Sequence, residues 1–485
     1  MSGRRFRTAG TRRNVLKEAG AAVLASPALL LARATMAQLP PLPRLPLSDA
    51  VLLRPGDAQF DQYQTSFNQR TELTPRLRAL CRNARAVGAT IDWCRGHNLS
   101  FALRCGGHSY EGFSQSKSVV IDMRLMNGVT VNVAAKTATV GAGVSLGAVY
   151  QAIAPHGFAF PGGSCPTVGV SGHVLGGGYG YLARSYGLAC DNLLSVDLVN
   201  AQGQIIRADA HQNPDLYWAS RGGGGGTFGA AVSYQLRLIK LAHVYTFNIH
   251  LNGLPTARAA AIMKEWQDWA PHASRTIDSN LVITRRPDAA TIDLRCAGQS
   301  IGTVQELRRE LKFLSSEVPV RRSFMDAVTY FAGGAKGWNY PSQLMKGKSD
   351  YAMVPLSDAG LASLMDQVSR RSGIYVVCDP YGAAIARPAH DATAFAHRRG
   401  TLYCLQYAST WSDPNDTPAR LDEMRQLYAT MRPYVSGAAY LNYCDLDLTD
   451  WQNAYWAGNL ARLKRIKAAF DLDNVFRHAQ SVPPG

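Results

Sequence analysis

No C-x-x-C pair occurs among the nine cysteines of the 485-residue sequence, which stand at 81, 94, 105, 165, 190, 296, 378, 404 and 444. A zinc knuckle and a thioredoxin-type dithiol are therefore excluded. No G-x-x-x-x-G-K-[ST] occurs, which excludes a P-loop. The run Gly141-Ala142-Gly143-Val144-Ser145-Leu146-Gly147 comes near a dinucleotide fingerprint but fails it. Its third glycine is due at Leu146, and about 20 positions on, where an acid would reach a ribose, stands Pro161-Gly162-Gly163. A nicotinamide site is excluded with it. Acids are scarce, 35 against 51 Lys and Arg, yet the basic residues are dispersed and form no arm or aromatic-interleaved stripe. A solvated basic surface follows, not a nucleic-acid partner. Past residue 37 no apolar run approaches the ~18 residues of a membrane span.

What is present begins with a leader. Arg4, Arg5, Arg7 and the pair Arg12-Arg13 precede a mostly apolar run at 19–32, then small residues before Gln38. Residues 11–17, Thr-Arg-Arg-Asn-Val-Leu-Lys, look like a twin-arginine export signal, and Ala34-Thr35-Met36-Ala37 suits cleavage after Ala37. The expectation is an exported protein, periplasmic or secreted. Removing residues 1–37 takes the formal charge from +16 to +10. The remaining length exceeds what one core supports, so two domains are expected. Spacing leaves the pairing of the cysteines open.

Along the chain, residues 51–53 read as a strand, and Thr74-Pro75 ahead of Arg76-Leu77-Arg78-Ala79-Leu80-Cys81 predicts a helix start. Residues 91–97 continue a helical pattern, and residues 101–104, 119–123 and 137–140 read as strands. A hairpin is predicted at 193–208 around Ala201-Gln202-Gly203. Five glycines, Gly222 to Gly226, lead into an apolar strand at 230–238. So many glycines are costly in backbone entropy and lack the serines of a surface linker, so they predict backbone packed close against a ligand. From about residue 241, strands at 246–251, 280–284 and 291–294 alternate with helical patterns at 257–269 and 304–315. That texture predicts an antiparallel sheet with helices on one face.

The chemistry concentrates between residues 104 and 180. One loop reads Arg104-Cys105-Gly106-Gly107-His108-Ser109-Tyr110-Glu111-Gly112. A second reads Gly162-Gly163-Ser164-Cys165-Pro166-Thr167-Val168-Gly169-Val170-Ser171-Gly172-His173-Val174-Leu175-Gly176-Gly177-Gly178-Tyr179-Gly180. Glycine-rich loops of this kind make concavities for anions such as a pyrophosphate. Each loop also holds one nucleophile, His108 or Cys165.

These loops resemble FAD-linked oxidases of the berberine bridge enzyme type, which share a flavin domain with vanillyl-alcohol oxidase and p-cresol methylhydroxylase. The resemblance covers nearly all of the chain after the leader. It extends to Phe67-Asn68, to the glycine run, to His397-Arg398-Arg399-Gly400, to Tyr440-Leu441-Asn442-Tyr443 and to the tail from Tyr455 to Phe476. One departure is Leu472, where the family usually has Pro. The resemblance implies an α+β fold with a two-part FAD-binding domain of the p-cresol methylhydroxylase type. Its parts would be residues 45–240 and 440–485, with a substrate domain at 241–439 between them and the export signal at 1–37. It also implies one FAD attached through both His108 and Cys165. Around it would stand Arg104, Cys105, Gly106, Gly107, Ser109, Gly163, Val168, Gly169, Gly172, His173, Gly176, Gly177, Gly180, Val232, Tyr440 and Asn442.

By the same resemblance, Tyr443 is the base that takes the substrate's hydroxyl proton, with Tyr179 and Gln406 beside it. A free phenol titrates near pH ~10, so the tyrosine must be lowered or act through a network. The founding enzyme carries a Glu where Gln406 stands, and an amide deprotonates nothing. Alcohol-oxidising relatives carry a Lys where Cys404 stands. Val168 matches the residue that goes with dioxygen use in the family, so hydrogen peroxide is the expected product. His97 is expected to be structural. The implied partners are a small-molecule substrate and dioxygen, with no nucleic acid and no membrane span. A monomer is the expectation for oligomeric state, which the sequence leaves open. Three functions remain: an exported oxidase of alcohols, sugar lactols or phenolic alcohols; a tailoring oxidoreductase of natural products; and a flavin-binding protein without turnover.

Overall fold

Eighteen strands lie among the residues that the computed structural model describes, which are 39–485 apart from 44, 47, 288, 316–318 and 323–341. The predicted export signal lies outside them. In chain order the strands are β1 (Ala50–Leu53), β2 (Leu77–Cys81), β3 (Phe101–Arg104), β4 (Val119–Asp122), β5 (Val129–Asn132), β6 (Thr137–Gly141), β7 (Phe158–Ala159), β8 (Leu193–Val199), β9 (Ile205–Asp209), β10 (Ala230–Arg237), β11 (Ile239–Lys240), β12 (Tyr245–Leu254), β13 (Ile277–Arg285), β14 (Ile292–Ser300), β15 (Val320–Arg322), β16 (Leu344–Ala352), β17 (Ile374–Pro380) and β18 (Tyr403–Trp411).

Four sheets result. The first has the order β1-β2-β4-β3 and the second β5-β6-β10-β8-β9, while β11 and β7 make a short pair. The fourth has seven strands in the order β15-β12-β14-β13-β17-β18-β16, all antiparallel. This is the α+β architecture expected.

The predicted helix start at Thr74 is wrong. Residues 77–81 form β2, buried at every position and paired parallel to β4 and antiparallel to β1. Burial on both faces of an inner strand overrides the local signal of Thr and Pro. The helix begins later, at Ala84, where the Asn83 side chain accepts from the Ala86 N–H at 3.0 Å, and it runs to Gly96. The predicted hairpin stands as β8 and β9.

The seven-stranded sheet has two unlike faces. Leu281 and Ile283 of β13, Leu294 and Cys296 of β14, Val376 and Cys378 of β17, and Leu405 and Tyr407 of β18 enter one core. Helices Thr256–Trp269, Asp358–Ser369 and Thr417–Met431 cover it with Met263, Trp266, Leu364, Met365, Met424 and Leu427. The intervening residues point the other way, as the period of two in a strand demands. They include Asn280, Arg295, Tyr375, Asp379 and Gln406, and all five line the large cavity.

Buried charges join this sheet to the loops. Lys346 Nζ of β16 donates to Glu111 Oε1 at 2.5 Å and Asp445 Oδ1 at 2.6 Å, and Lys348 Nζ to Asp445 Oδ2 and Asp447 Oδ2 at 2.8 Å each. Glu111 follows His108 by three residues and Asp445 follows Tyr443 by two, so the network fixes both segments against β16. Arg184 does the same from the other side. Its fully buried guanidinium donates to the carbonyls of Ile277 at 3.1 Å, Pro271 at 3.0 Å and Ala273 at 2.6 Å, and to that of Tyr381. A lysine cannot satisfy four diverging acceptors. Arg184→Lys should cost about 2–4 kcal/mol through orphaned carbonyls, read as a lower guanidinium or thermal midpoint; an unchanged midpoint would contradict this role.

Candidate active site

Strand β3 delivers the first loop. Its last residue, Arg104, is buried and donates to Ser66 Oγ at 2.9 Å and the Thr65 carbonyl at 2.5 Å. Gly107, at φ +71°, closes over the guanidinium, where a Cβ would meet Arg104. The turn presents His108, whose ring stacks on Phe67 with centroids 4.4 Å apart. Burial, with the Arg104 charge, lowers its pKa to about 4, so the imidazole is neutral at pH 7.

The second loop meets the first at Thr167. Its hydroxyl lies 2.9 Å from His108 Nε2 and 3.5 Å from Cys165 Sγ. The two nucleophiles, 57 positions apart in the chain, therefore share one neighbour. Nearby, the Gly163 N–H donates to His173 Nε2 at 2.9 Å, and burial keeps that imidazole neutral with a pKa of about 4. His97 is structural, its Nδ1 2.8 Å from the Trp93 carbonyl in its own helix.

Both loops border a cavity of ≈ 400 Å³. Of the residues predicted to hold the cofactor, Arg104, Cys105, Gly106, Gly107, His108, Ser109, Gly163, Cys165, Val168, Gly169, Gly172, His173, Gly180, Tyr440 and Asn442 all line it. Three stand behind the wall instead. Gly176 packs on the Asn442 amide and Gly177 on the Phe395 ring, while the Val232 carbonyl accepts from the Ala142 N–H at 3.1 Å.

Tyrosines and the seven-stranded sheet build a further part of the cavity wall. Tyr443 donates to Asp379 Oδ2 at 3.3 Å. Asn280 Nδ2 donates to Asp379 Oδ1 at 3.2 Å, and Tyr181 donates to the same amide's oxygen. Tyr179 donates to Asp278 Oδ1 at 2.7 Å. Gln406 donates to the Tyr110 hydroxyl at 2.6 Å, and Tyr110 lies parallel to Tyr443 with centroids 5.7 Å apart. Tyr440 Oη accepts from the backbone N–H groups of Gly178 and Tyr179 and from Asn442, which also donates to the His173 carbonyl. Thus Tyr443, Tyr179 and Gln406, remote in sequence, line one cavity.

Burial and the nearby Asp379 charge push the Tyr443 phenol well above its ordinary range. The phenol is thus raised, not lowered, and its hydroxyl enters a hydrogen-bonded network through Asp379. Burial raises Asp379 to about 6. This carboxylate, with Asn280 and Tyr110, went unnoticed in the sequence. Its one signal was a lone acid at the end of the apolar run Ile374-Tyr375-Val376-Val377-Cys378. All nine cysteines lie among the described residues and none is paired.

Comparison with known proteins decides the family. A family model described as FAD binding domain matches residues 75–209, and one described as Berberine and berberine like matches residues 439–483. Berberine bridge enzyme-like D-1 of Nicotiana tabacum is 33% identical over 455 residues, covering 81% of this chain and 80% of the relative. The chain belongs to the berberine bridge enzyme-like family of FAD-linked oxidoreductases. Monolignol oxidoreductase AtBBE-like 13 of Arabidopsis thaliana is 32% identical over 439 residues, covering 82% of each chain. The solved berberine bridge enzyme from Eschscholzia californica superimposes with a TM-score of 0.83 at 26% identity, covering 90% of this chain and 97% of that one.

The cavity wall fits the FAD of this berberine bridge enzyme-like family. A Cβ at Gly172 would meet no heavy atom within 4 Å, and one at Gly225 none nearer than 3.6 Å, although both residues line the cavity. Their missing side chains therefore leave room for a ligand, not for packing within the protein. Gly225→Val should fold normally and lose most of its flavin, read as a fall of at least about fivefold in the 450 nm absorbance per chain; full flavin content would refute this placement.

Proposed function

We propose that this chain is an exported oxidase that converts an alcohol, a sugar lactol or a phenolic alcohol to the carbonyl compound and passes the electrons to dioxygen. The observation that carries the reading is the Tyr443–Asp379 pair, which lines the same cavity as His108 and Cys165. A bound FAD would supply a hydride acceptor at N5 and a means of reducing dioxygen to hydrogen peroxide. His108 and Cys165 would hold it covalently, the first as a neutral and hence nucleophilic imidazole. Val168 lines the same wall, in the position that goes with dioxygen use.

Tyr443 takes the proton of the substrate's hydroxyl as its own proton moves to Asp379. The phenol's high pKa is then no obstacle, because the phenol relays a proton and the carboxylate stores it. Gln406 holds Tyr110 in place and takes no proton. A phenolic substrate is among the candidates because a relative is a monolignol oxidoreductase. The leader at 1–37 would deliver the folded, flavin-loaded protein across a membrane.

A peroxide-coupled screen of alcohols, sugars and phenolic alcohols tests the reading directly. A yellow protein that stays oxidised with all of them would favour flavin binding without turnover. Peroxide only from polycyclic natural products would favour the tailoring role. His108→Ala and Cys165→Ala should each leave one flavin–peptide bond by mass spectrometry, and the double variant should release free FAD on acid precipitation. Pigment in the supernatant of the unaltered protein would end the covalent assignment.

Tyr443→Phe should lower kcat by about 10²–10⁴-fold with the flavin retained. The carboxylate form of Asp379 is the active one, and its raised pKa means that this form is lost as pH falls through about 6. kcat/KM should therefore drop on the acid side of pH ~6, and Asp379→Asn should abolish that limb along with most activity. An acid limb that persists in Asp379→Asn would assign it to another group.

A further inference from the structure

We propose that Asp278 sets which substrates the cavity accepts: by taking the single hydroxyl proton of Tyr179 it leaves that oxygen a hydrogen-bond acceptor, and so selects molecules with a second hydroxyl besides the one oxidised. The proposal rests on the alcohol-oxidising reading and names the substrate class within it.

A phenol has one proton to donate and two lone pairs to accept with. Tyr179 spends its proton on Asp278 Oδ1 at 2.7 Å. Tyr443 spends its own on Asp379 Oδ2 at 3.3 Å. Both rings line the cavity, while both carboxylates are fixed in β13 and β17 of its sheet. Toward the cavity each of these two oxygens can only accept. Tyr181 shows the same polarity, donating to Asn280 Oδ1, whose Nδ2 in turn donates to Asp379. A substrate with one hydroxyl satisfies Tyr443 alone. A diol satisfies Tyr179 as well.

Asp278 is not itself part of the cavity wall. It is 2% exposed, and its Oδ2 has no hydrogen-bond partner. Such a group is costly to bury, and its Oδ1 is the atom that accepts from Tyr179 and so orients that hydroxyl. Arg184 lies close enough to favour the carboxylate. The opposing effect of burial raises it to about 7, so the carboxylate form dominates at about pH 8, where Asp379 is ionised too.

The experiment compares 1-phenylethane-1,2-diol with 1-phenylethanol and 2-phenylethanol on the holoenzyme at about pH 8. KM is read for compounds that turn over and Ki for those that do not. One satisfied buried acceptor corresponds to a preference of about tenfold for the diol in the unaltered protein. Asp278→Ala, which leaves Tyr179 no acceptor in the sheet, and Tyr179→Phe should each reduce that preference to less than about twofold, and the double variant should add nothing to Tyr179→Phe. A merely structural role for Asp278 would weaken all three compounds alike and overturn the proposal. So would equal binding by the unaltered protein, or a full preference retained in either single variant. If Asp278→Ala does not fold, a full preference retained in Tyr179→Phe still overturns the proposal. Binding of none of the three compounds would overturn the alcohol reading and this proposal together, whereas equal binding overturns only this one.

Discussion

The seven-stranded sheet works because its strands alternate. Along β17, Val376 and Cys378 enter the core under the helices, while Tyr375, Val377 and Asp379 line the cavity. The same holds for Leu405 and Gln406 on β18 and for Leu281 and Asn280 on β13. A slip of one residue would bury Asp379 in hydrocarbon and turn Cys378 toward the ligand. The register therefore fixes the chemistry of the cavity as firmly as it fixes the fold. It is held by a core of Leu, Ile, Met and aromatic residues from three long helices.

The loop part of the wall is held by different physics. Glycine-rich loops have no side chains to anchor them, and here buried polar groups do so. Arg104 ties the His108 loop to residues 65 and 66, and Lys346 ties it again through Glu111. Such charges are expensive to remove from water unless each finds partners. Lys346 and Lys348 find three carboxylates between them, and Arg184 finds four carbonyls. The neutral His108 and the neighbouring Thr167 and Cys165 are placed by this frame.

The same burial that raises tyrosine pKa values gives the cavity its polarity. None of Tyr179, Tyr181 and Tyr443 can ionise readily, and burial pushes each upward. Each instead donates its proton outward into the sheet, to Asp278, Asn280 or Asp379. A wall built this way presents hydrogen-bond acceptors to the cavity, with a buried carboxylate behind Tyr443.

The sequence by itself determined the two loops, their glycines and their nucleophiles, because a glycine-rich run around a single His or Cys is a local pattern that survives without context. It also determined most strands and the hairpin, whose alternation and turn chemistry are equally local. It misplaced the start of the first helix, since Thr74-Pro75 is a good cap wherever the following residues are free to coil, and only the pairing of β2 between β1 and β4 denies them that. It left Asp379 and Asp278 unseen, as each is one acid in a strand with no motif around it. Their importance comes from neighbours 64 and 99 positions away. Contacts of that separation are made by sheet register and helix packing, which no short stretch of chain encodes, and so the tertiary structure alone decided where the protons go.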